Sequence, residues 1–346
     1  MRSITVRFAA AAGALLVLLA GRVPASVAGA APNLQQLWRT LGGFTPGQLS
    51  AVERGEPVAR VVSTDRREIA IMGVVRIRGA RDPLIARYRD ISNLRKSNLV
   101  MQVGTFSRPP RADDLAALTF EDYDLDAPRN CRPGACAIRA SADAMVRMRA
   151  GVNWGAPEAR QQSAAAWRDM LVALARGYEA NGDAALPELA NKAEPLSVRA
   201  ELDALYGLFG YLGEMGPEFL RHVREFPRAR LPGAEDALYW TKNDLGIRPV
   251  VGITHQAIYA PAGKPAFIAL KRIYAVHYVD AGLSVTMITD DGAGGFYMTM
   301  VDRVRTRSLT GFTRAIVRSI VQDKSRDGVE NVLRSNKRAI EAAPHR

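Results

Sequence analysis

The sequence predicts an α+β fold in which a curved antiparallel sheet packs against one long C-terminal helix and an α-helical insertion interrupts the sheet. Two observations carry this prediction. Strand-like runs cluster between residues 58 and 106 and again between 248 and 304, and a segment with helical periodicity, 309–342, directly follows the second cluster. The chain has 346 residues, of which 48% are hydrophobic and 24% are charged, so it can bury a sizeable core.

Residues 1–30 have the pattern of a secretory signal peptide. Arginines precede the uncharged run 8–20, and Ala28-Gly29-Ala30 offers a small-residue cleavage site. A membrane anchor needs about twenty apolar residues, but Arg22 and Pro24 interrupt this run too early. We therefore expect removal of the signal and a periplasmic or secreted protein without a transmembrane span.

The remaining chain, 31–346, is expected to form one domain. Apolar residues recur at helical spacing from Asn33 to about Arg54, where a Gly-Gly pair and a proline divide the stretch into two short helices. Runs rich in Val and Ile then predict strands at 58–62 and 68–77.

The next elements are a helix and a third strand. Asp82 and Pro83 predict the start of the helix, with Asp82 as N-cap and Pro83 at the first helical position. Proline has no backbone N–H, and an N–H at that position would have no partner within the helix. The apolar run 99–106 predicts a strand, and Pro109-Pro110 ends it.

A mainly helical insertion is predicted at about 111–246. Its helices are expected where apolar residues recur with a period near 3.6, at 157–179, 198–212, 217–226 and 234–245.

Cys131 and Cys136 are the only cysteines, and the pair Pro133-Gly134 between them favours a turn that brings them together. In an oxidising compartment this predicts a disulfide. A metal site would need further ligands, and the spacing of a redox-active Cys-x-x-Cys pair is absent. We expect no metal and no cofactor.

Four further strands are predicted at 250–259, 266–279, 283–289 and 296–304. The short Gly- and Pro-containing turns between them require antiparallel neighbours. The terminal helix has its apolar residues on one stripe. Gly328 weakens the middle of this helix, and we expect it to allow close approach of another backbone or a ligand.

This order of elements resembles the helix-grip architecture of START-type and polyketide-cyclase-like lipid-binding domains. The resemblance covers about residues 33–106 and 248–342 and is best at the C-terminus, where Asp302-Arg303-Val304 leads through Leu309-Thr310-Gly311-Phe312 into the basic helix. The chain also resembles a group of exported bacterial proteins. The resemblance implies a sheet wrapped on the long helix with an apolar cavity between them.

Side chains of the second strand cluster are candidates for polar contacts with a ligand. If Tyr259 pairs with Ala266, then His255 and Tyr259 share a mainly apolar face with Arg272 and Tyr274. Such a face fits a ligand cavity, and it also fits an ordinary core whose polar groups are satisfied by neighbours. We predict that Arg272, Tyr274, Tyr259, His255 and Tyr278 contact the ligand. A one-residue slip in the turn would exchange the two faces.

Arg272 is the sharpest of these candidates. An arginine on an apolar strand face needs an anion or another polar group, which could be a ligand or a local carboxylate such as Asp280, Asp290 or Asp302.

The function predicted is binding or transport of a hydrophobic or amphipathic small molecule, for example a lipid, in the cell envelope. The alternative is an envelope hydrolase or isomerase in which His277, paired with Asp280, acts as a general base; the expected register keeps His255 and His277 apart, so they share no metal ion. A third class is a scaffold whose surface contacts envelope polymers. The formal net charge of +12 suits peripheral contact with anionic lipids. The sequence has no basic tract interleaved with aromatic residues, which a nucleic-acid-binding protein would be expected to have.

Overall fold

The computed structural model describes residues 33–62, 64–96, 99–244, 248–309 and 315–342. The expected signal at 1–30 and the start of the terminal helix at 310–314 lie outside these residues. In the described ranges the strands, numbered along the chain, are β1 Val58–Val61, β2 Glu68–Arg78, β3 Val100–Thr105, β4 Glu188–Leu189, β5 Leu196–Ser197, β6 Ala234–Asn243, β7 Val250–Tyr259, β8 Ala266–Ala275, β9 Ala281–Asp290 and β10 Gly295–Arg305.

Helices flank the strands in the same ranges. They are α1 Leu34–Gly42, α2 Pro46–Glu53, α3 Asp82–Arg89, α4 Asp122–Asp126, α5 Ala142–Ala150, α6 Ala159–Asn181, α7 Val198–Gly207, α8 Gly210–Met215, α9 Pro217–Glu225 and α10 Ala315–Glu341. Short 3-10 helices occur at Ile91–Lys96, Ala112–Leu115, Ala127–Asn130, Gly182–Ala185 and Arg307–Leu309. None of the described helices is both long enough and apolar enough to cross a membrane.

The main sheet has eight strands in the order β1-β2-β10-β9-β8-β7-β6-β3, and β4 and β5 form a separate two-stranded ribbon. All neighbouring pairs of the main sheet are antiparallel. The α+β class with a large antiparallel sheet and a long C-terminal helix is thereby confirmed. The sheet is open, with β1 at one edge and β3 at the other.

One face of the sheet packs against α10, which lies along β2, β1 and β10. Gly73 in β2 permits this contact, because a Cβ atom there would lie 2.6 Å from Val329 and 2.8 Å from Leu333 of the helix. The expected close approach at Gly328 is not found, since a Cβ atom at that position would have nothing within 4 Å among the described residues. The glycine that the packing needs is therefore in the strand and not in the helix.

The other face of the sheet is covered by α1, α2 and the helices α4 to α9. The Phe219 ring of α9 stacks on Phe267 of β8 at 5.4 Å between centroids. Trp38 of α1 is buried on the same face and donates a hydrogen bond to Thr299 of β10 at 3.0 Å. The sheet is therefore buried on both faces, which explains why its strands read as nearly continuous apolar runs.

The predicted helix at 234–245 is wrong, because these residues form β6. Leu238, Tyr239 and Trp240 alternate between the two sheet faces and pair with His255, Thr254 and Ile253 of β7. Pairing with a long neighbouring strand outweighed the weak helical periodicity of this segment. The helical block accordingly ends before β6, and the chain between β3 and β6 is the part that departs from the sheet.

The disulfide between Cys131 and Cys136 is confirmed, with a Cα–Cα distance of 4.4 Å. Gly134, in the turn between the two cysteines, has a φ of +83°. This left-handed conformation favours glycine, so the Pro-Gly pair explains the short loop.

Candidate functional site

The register of β7 against β8 differs by one residue from the expected one. Tyr259 pairs with Phe267, and His255 pairs with Lys271. A one-residue shift moves a side chain to the opposite face of a sheet. His255 and Tyr259 therefore lie under the helical block, whereas Arg272 lies on the face that carries α10. The expectation that these residues share one face is wrong.

A strip of partly exposed side chains runs across the middle of the α10 face. Leu270 and Arg272 of β8 and Met300 and Asp302 of β10 belong to it. Residues around the strip on the same face, such as Ile268 and Met298, are buried. Because α10 lies over β1, β2 and β10, the strip on the central strands keeps accessible surface. We call the space above these four side chains the recess.

The recess places a cation near a carboxylate. Burial raises the pKa of Asp302, and the positive charge of Arg272 opposes this shift. Asp302 is thus surrounded by protein atoms and yet keeps accessible surface. In the described part of the chain, Arg272 and Asp302 attract each other without an ion pair or hydrogen bond between them.

Ser284 of β9 lies between the two strands that carry the charges, since it pairs with Leu270 on one side and Asp302 on the other. Its side chain is 7% exposed. The hydroxyl lies close enough to Asp302 to lower the pKa of that carboxyl. Its geometry is not that of a hydrogen bond, and within the described residues Ser284 Oγ has no partner.

Two tyrosines border the recess. Burial raises the pKa of Tyr88 in α3, whose phenol lies beside the Thr286 hydroxyl. Burial also raises the pKa of Tyr239 in β6, and the charge of Arg272 opposes this shift. Gln256 of β7 donates a hydrogen bond to the Tyr88 carbonyl at 3.0 Å and so ties α3 to the central strands.

Gly282 of β9 forms part of the floor of the recess, opposite Arg272 in β8. A Cβ atom at Gly282 would make only ordinary contacts, the nearest at 3.5 Å to the Cβ of Arg272. The position therefore admits a Cβ atom without a clash.

The opposite face carries a buried hydrogen-bond network around Asp236. Asp236 Oδ1 lies 2.9 Å from His222 Nε2 and 2.8 Å from His255 Nε2. Burial alone would raise the pKa of Asp236, but the hydrogen bonds from the two histidines hold it well below its usual range. Burial lowers the pKa of His255 to about 4, so its Nδ1 accepts the hydrogen bond of the Tyr178 hydroxyl at 2.8 Å.

Lys271 extends the same buried region. Its ammonium group donates to Asp183 Oδ1 at 2.9 Å and to the Val223 carbonyl at 2.7 Å. It also lies 5.0 Å from the centroid of the Tyr178 ring. Burial lowers the pKa of Lys271. These contacts fasten the helical block to the centre of the sheet.

The expected pairing of His277 with Asp280 is not formed. His277 Nε2 lies 2.8 Å from Asp124 Oδ1, and Asp280 binds the guanidinium of Arg139. Tyr274 donates a hydrogen bond to the Arg139 carbonyl at 2.7 Å. These five residues bind one another at the end of β8, so His277 and Asp280 have other partners.

Tyr278, the remaining sequence candidate, has a φ of 59°. It lies in the connection between β8 and β9 next to His277, at 5.7 Å between ring centroids. Of the five side chains expected to contact a ligand, only Arg272 borders the recess.

Sequence reasoning missed Ser284 as a site residue and gave Asp302 only as a possible partner of Arg272. Ser284 on β9 and Asp302 on β10 are separate in sequence. Only the register in which these two strands pair brings them together. No group of three His, Cys, Asp or Glu side chains in the described ranges is arranged to hold a metal ion. The sequence matches no protein-family model and no curated protein.

Proposed function

We propose that the chain binds a hydrophobic or amphipathic small molecule, such as a lipid, in the recess. The observation that carries this proposal is the partly exposed strip Leu270, Arg272, Met300 and Asp302 in the middle of a face where neighbours such as Ile268 and Met298 are buried. Two apolar side chains would contact the ligand body, and the two charged side chains would orient its head. Ligand sites in proteins commonly combine an apolar lining with a few polar groups of this kind.

The strand order supports a helix-grip likeness to START-type and polyketide-cyclase-like domains. Without β1 and the helical block, the chain runs from β2 through α3 to β3, then through β6, β7, β8, β9 and β10 to α10. In the sheet, β2 pairs with β10, the last strand before the long helix. In this proposal the recess is the cavity side of the sheet, and the helical block is an insertion that covers the outer side.

We further propose that this protein works in the periplasm or outside the cell. The signal-like pattern of residues 1–30 and the disulfide between Cys131 and Cys136 support this location, because disulfides persist in oxidising compartments. The formal net charge of +12 would favour peripheral contact with anionic lipids, from which an amphipathic ligand could be collected or to which it could be delivered.

Uptake of a neutral apolar probe tests the proposal without assuming a head group. N-phenyl-1-naphthylamine should show a saturable rise in fluorescence with one probe per chain, and native mass spectrometry should show the corresponding adduct. Gly282→Leu should abolish uptake because its side chain would enter the recess, and Gly282→Ala is the matched control that should retain it.

Leu270→Trp provides a second blocking variant in case Gly282→Leu does not fold, and circular dichroism reports the folding of each variant. Absence of probe binding to the wild-type protein would overturn the proposal. Equal uptake by the wild-type protein and a folded blocking variant would also overturn it, because the probe would then bind elsewhere.

A further inference from the structure

The recess contains one positive and one negative side chain in the same desolvated space, and this pairing restricts the ligand. Arg272 on β8 and Asp302 on β10 are both partly exposed there. The intervening strand β9 contributes Ser284 and Gly282, so no bulky side chain from that strand separates the two charges. Together the two charged groups have no net charge.

We propose that the ligand of this recess is a net-neutral amphiphile whose head group accepts a hydrogen bond from Arg272 and donates one to Asp302. This inference rests on the proposed function and adds the chemical class of the head group. A head with hydroxyl groups beside an ester or amide carbonyl has this chemistry, and so does a zwitterion whose ammonium group carries N–H donors.

The charge balance of the recess is the first argument for a neutral head. A carboxylate head would be attracted by Arg272 but would place a second negative charge beside Asp302. An ammonium head would be attracted by Asp302 but would place a second positive charge beside Arg272. In either case one charge would stay uncompensated in a partly desolvated site, which is costly. A neutral head with a donor and an acceptor satisfies both side chains and leaves their mutual attraction intact.

The second argument is the hydroxyl of Ser284. This group is buried, faces the recess between Leu270 and Asp302, and has no hydrogen-bond partner in the described part of the chain. A buried polar atom without a partner is unfavourable. A hydroxylated head group could give Ser284 a partner and at the same time donate to Asp302, which a simple hydrocarbon could not do.

Three ligands with the same oleyl chain length and different heads test the inference: 1-monooleoylglycerol, oleate and oleylamine. Their affinities are measured at pH 7.5 and low salt by displacement of N-phenyl-1-naphthylamine. We expect monooleoylglycerol to bind at least about tenfold more tightly than either charged ligand. A difference of this size corresponds to one uncompensated charge, or to the loss of one hydrogen bond to a charged group.

Substitution of either charged residue should change the relative affinities for the three ligands, and the two substitutions should favour opposite charges on the head group. Asp302→Asn leaves Arg272 unbalanced and should raise the affinity for oleate relative to monooleoylglycerol. Arg272→Gln should raise the relative affinity for oleylamine. Asp290→Asn and Arg78→Gln are matched controls at exposed positions of the same sheet, and they should leave the order unchanged.

The outcomes separate this inference from the proposed function. Equal or tighter binding of oleate or oleylamine to the wild-type protein would overturn the neutral-head inference and leave ligand binding in place. An unchanged order in folded Asp302→Asn and Arg272→Gln variants would overturn it too. If the neutral probe does not bind to the wild-type protein, the proposed function itself fails. Comparison of the wild-type affinities decides the matter even if a variant does not fold.

Discussion

Lys271 and Arg272 are neighbours on β8, and their side chains lie on opposite faces of the sheet. Lys271 is 0% exposed under the helical block, where it donates hydrogen bonds to Asp183 and to the Val223 carbonyl. Arg272 is partly exposed in the recess. Two adjacent cations therefore have different surroundings: the first fastens two layers of the protein together, and the second keeps accessible surface on the other face.

Lys271→Met should destabilise the protein. The substitution leaves the Asp183 carboxylate and the Val223 carbonyl without their buried cationic donor, and breaking a buried ion pair costs about 3–5 kcal/mol. Urea unfolding followed by circular dichroism measures the change. Lys264→Met, at an exposed turn position, is the control and should change the free energy of unfolding by less than about 0.5 kcal/mol. A similar small effect at Lys271 would contradict the fastening role.

His255 should stay neutral well into the acid range. Burial lowers its pKa from 6.5 to about 4, so the unfolded chain binds this proton more readily than the folded protein does. Its contribution to stability is present above pH 6.5 and is lost as the pH falls through about 4, by roughly 3 kcal/mol at most. An NMR titration should show the His255 ring signals moving near pH 4; a midpoint at or above 6.5 would contradict the buried neutral ring.

His222 should have the opposite pH dependence. Burial disfavours its charged form, but the hydrogen bond and the negative charge of Asp236, together with the hydrogen bond to the Ala229 carbonyl, outweigh burial, and the pKa of His222 is raised above 6.5. The stability that this residue contributes is therefore fully present below pH 6.5 and is lost as the pH rises through the raised value. His222→Gln should consequently cost more stability at pH 6 than at pH 9 in thermal unfolding. An equal cost at both pH values would argue against a charged His222.

Gly328→Ala should stabilise the protein. Gly328 lies inside α10, and a Cβ atom there would meet nothing within 4 Å among the described residues, so alanine should add about 0.5–1 kcal/mol to the free energy of unfolding. Gly73→Ala is the contrasting substitution and should destabilise by about 1–3 kcal/mol, because its Cβ atom would collide with Val329 and Leu333. Thermal unfolding of both variants measures the two effects, and stabilisation by Gly73→Ala would contradict the close packing of α10 on β2.

Periodicity and turn residues were sufficient to predict most of the sheet. β7 has the expected bounds, and β9 and β10 differ from expectation by one or two residues at each end. The β6 segment was taken for a helix, because local apolar spacing does not reveal the two strands, β3 and β7, that pair with it. Its aromatic pair Tyr239-Trp240 was the available signal for a strand.

The candidate site was harder to predict than the fold, since it depends on register. The turn between β7 and β8 allowed two pairings, and the expected one placed His255 beside Arg272. In the structure, the pairing of Tyr259 with Phe267 reverses this arrangement. The sequence still identifies Arg272, because an arginine between apolar residues is unusual on either face of a sheet. That Asp302 and Ser284 lie near Arg272 depends on two further strand pairings, β8 with β9 and β9 with β10.

The pairing of β2 with β10 has a consequence for the order in which the chain acquires structure. The β1–β2 hairpin forms from local contacts, but the second neighbour of β2 is the last strand of the sheet. During synthesis one long edge of β2 is therefore without its partner until almost the whole polypeptide exists. Unpaired strand edges promote aggregation, so chains shortened before Gly295 should depend on molecular chaperones far more than the complete protein does.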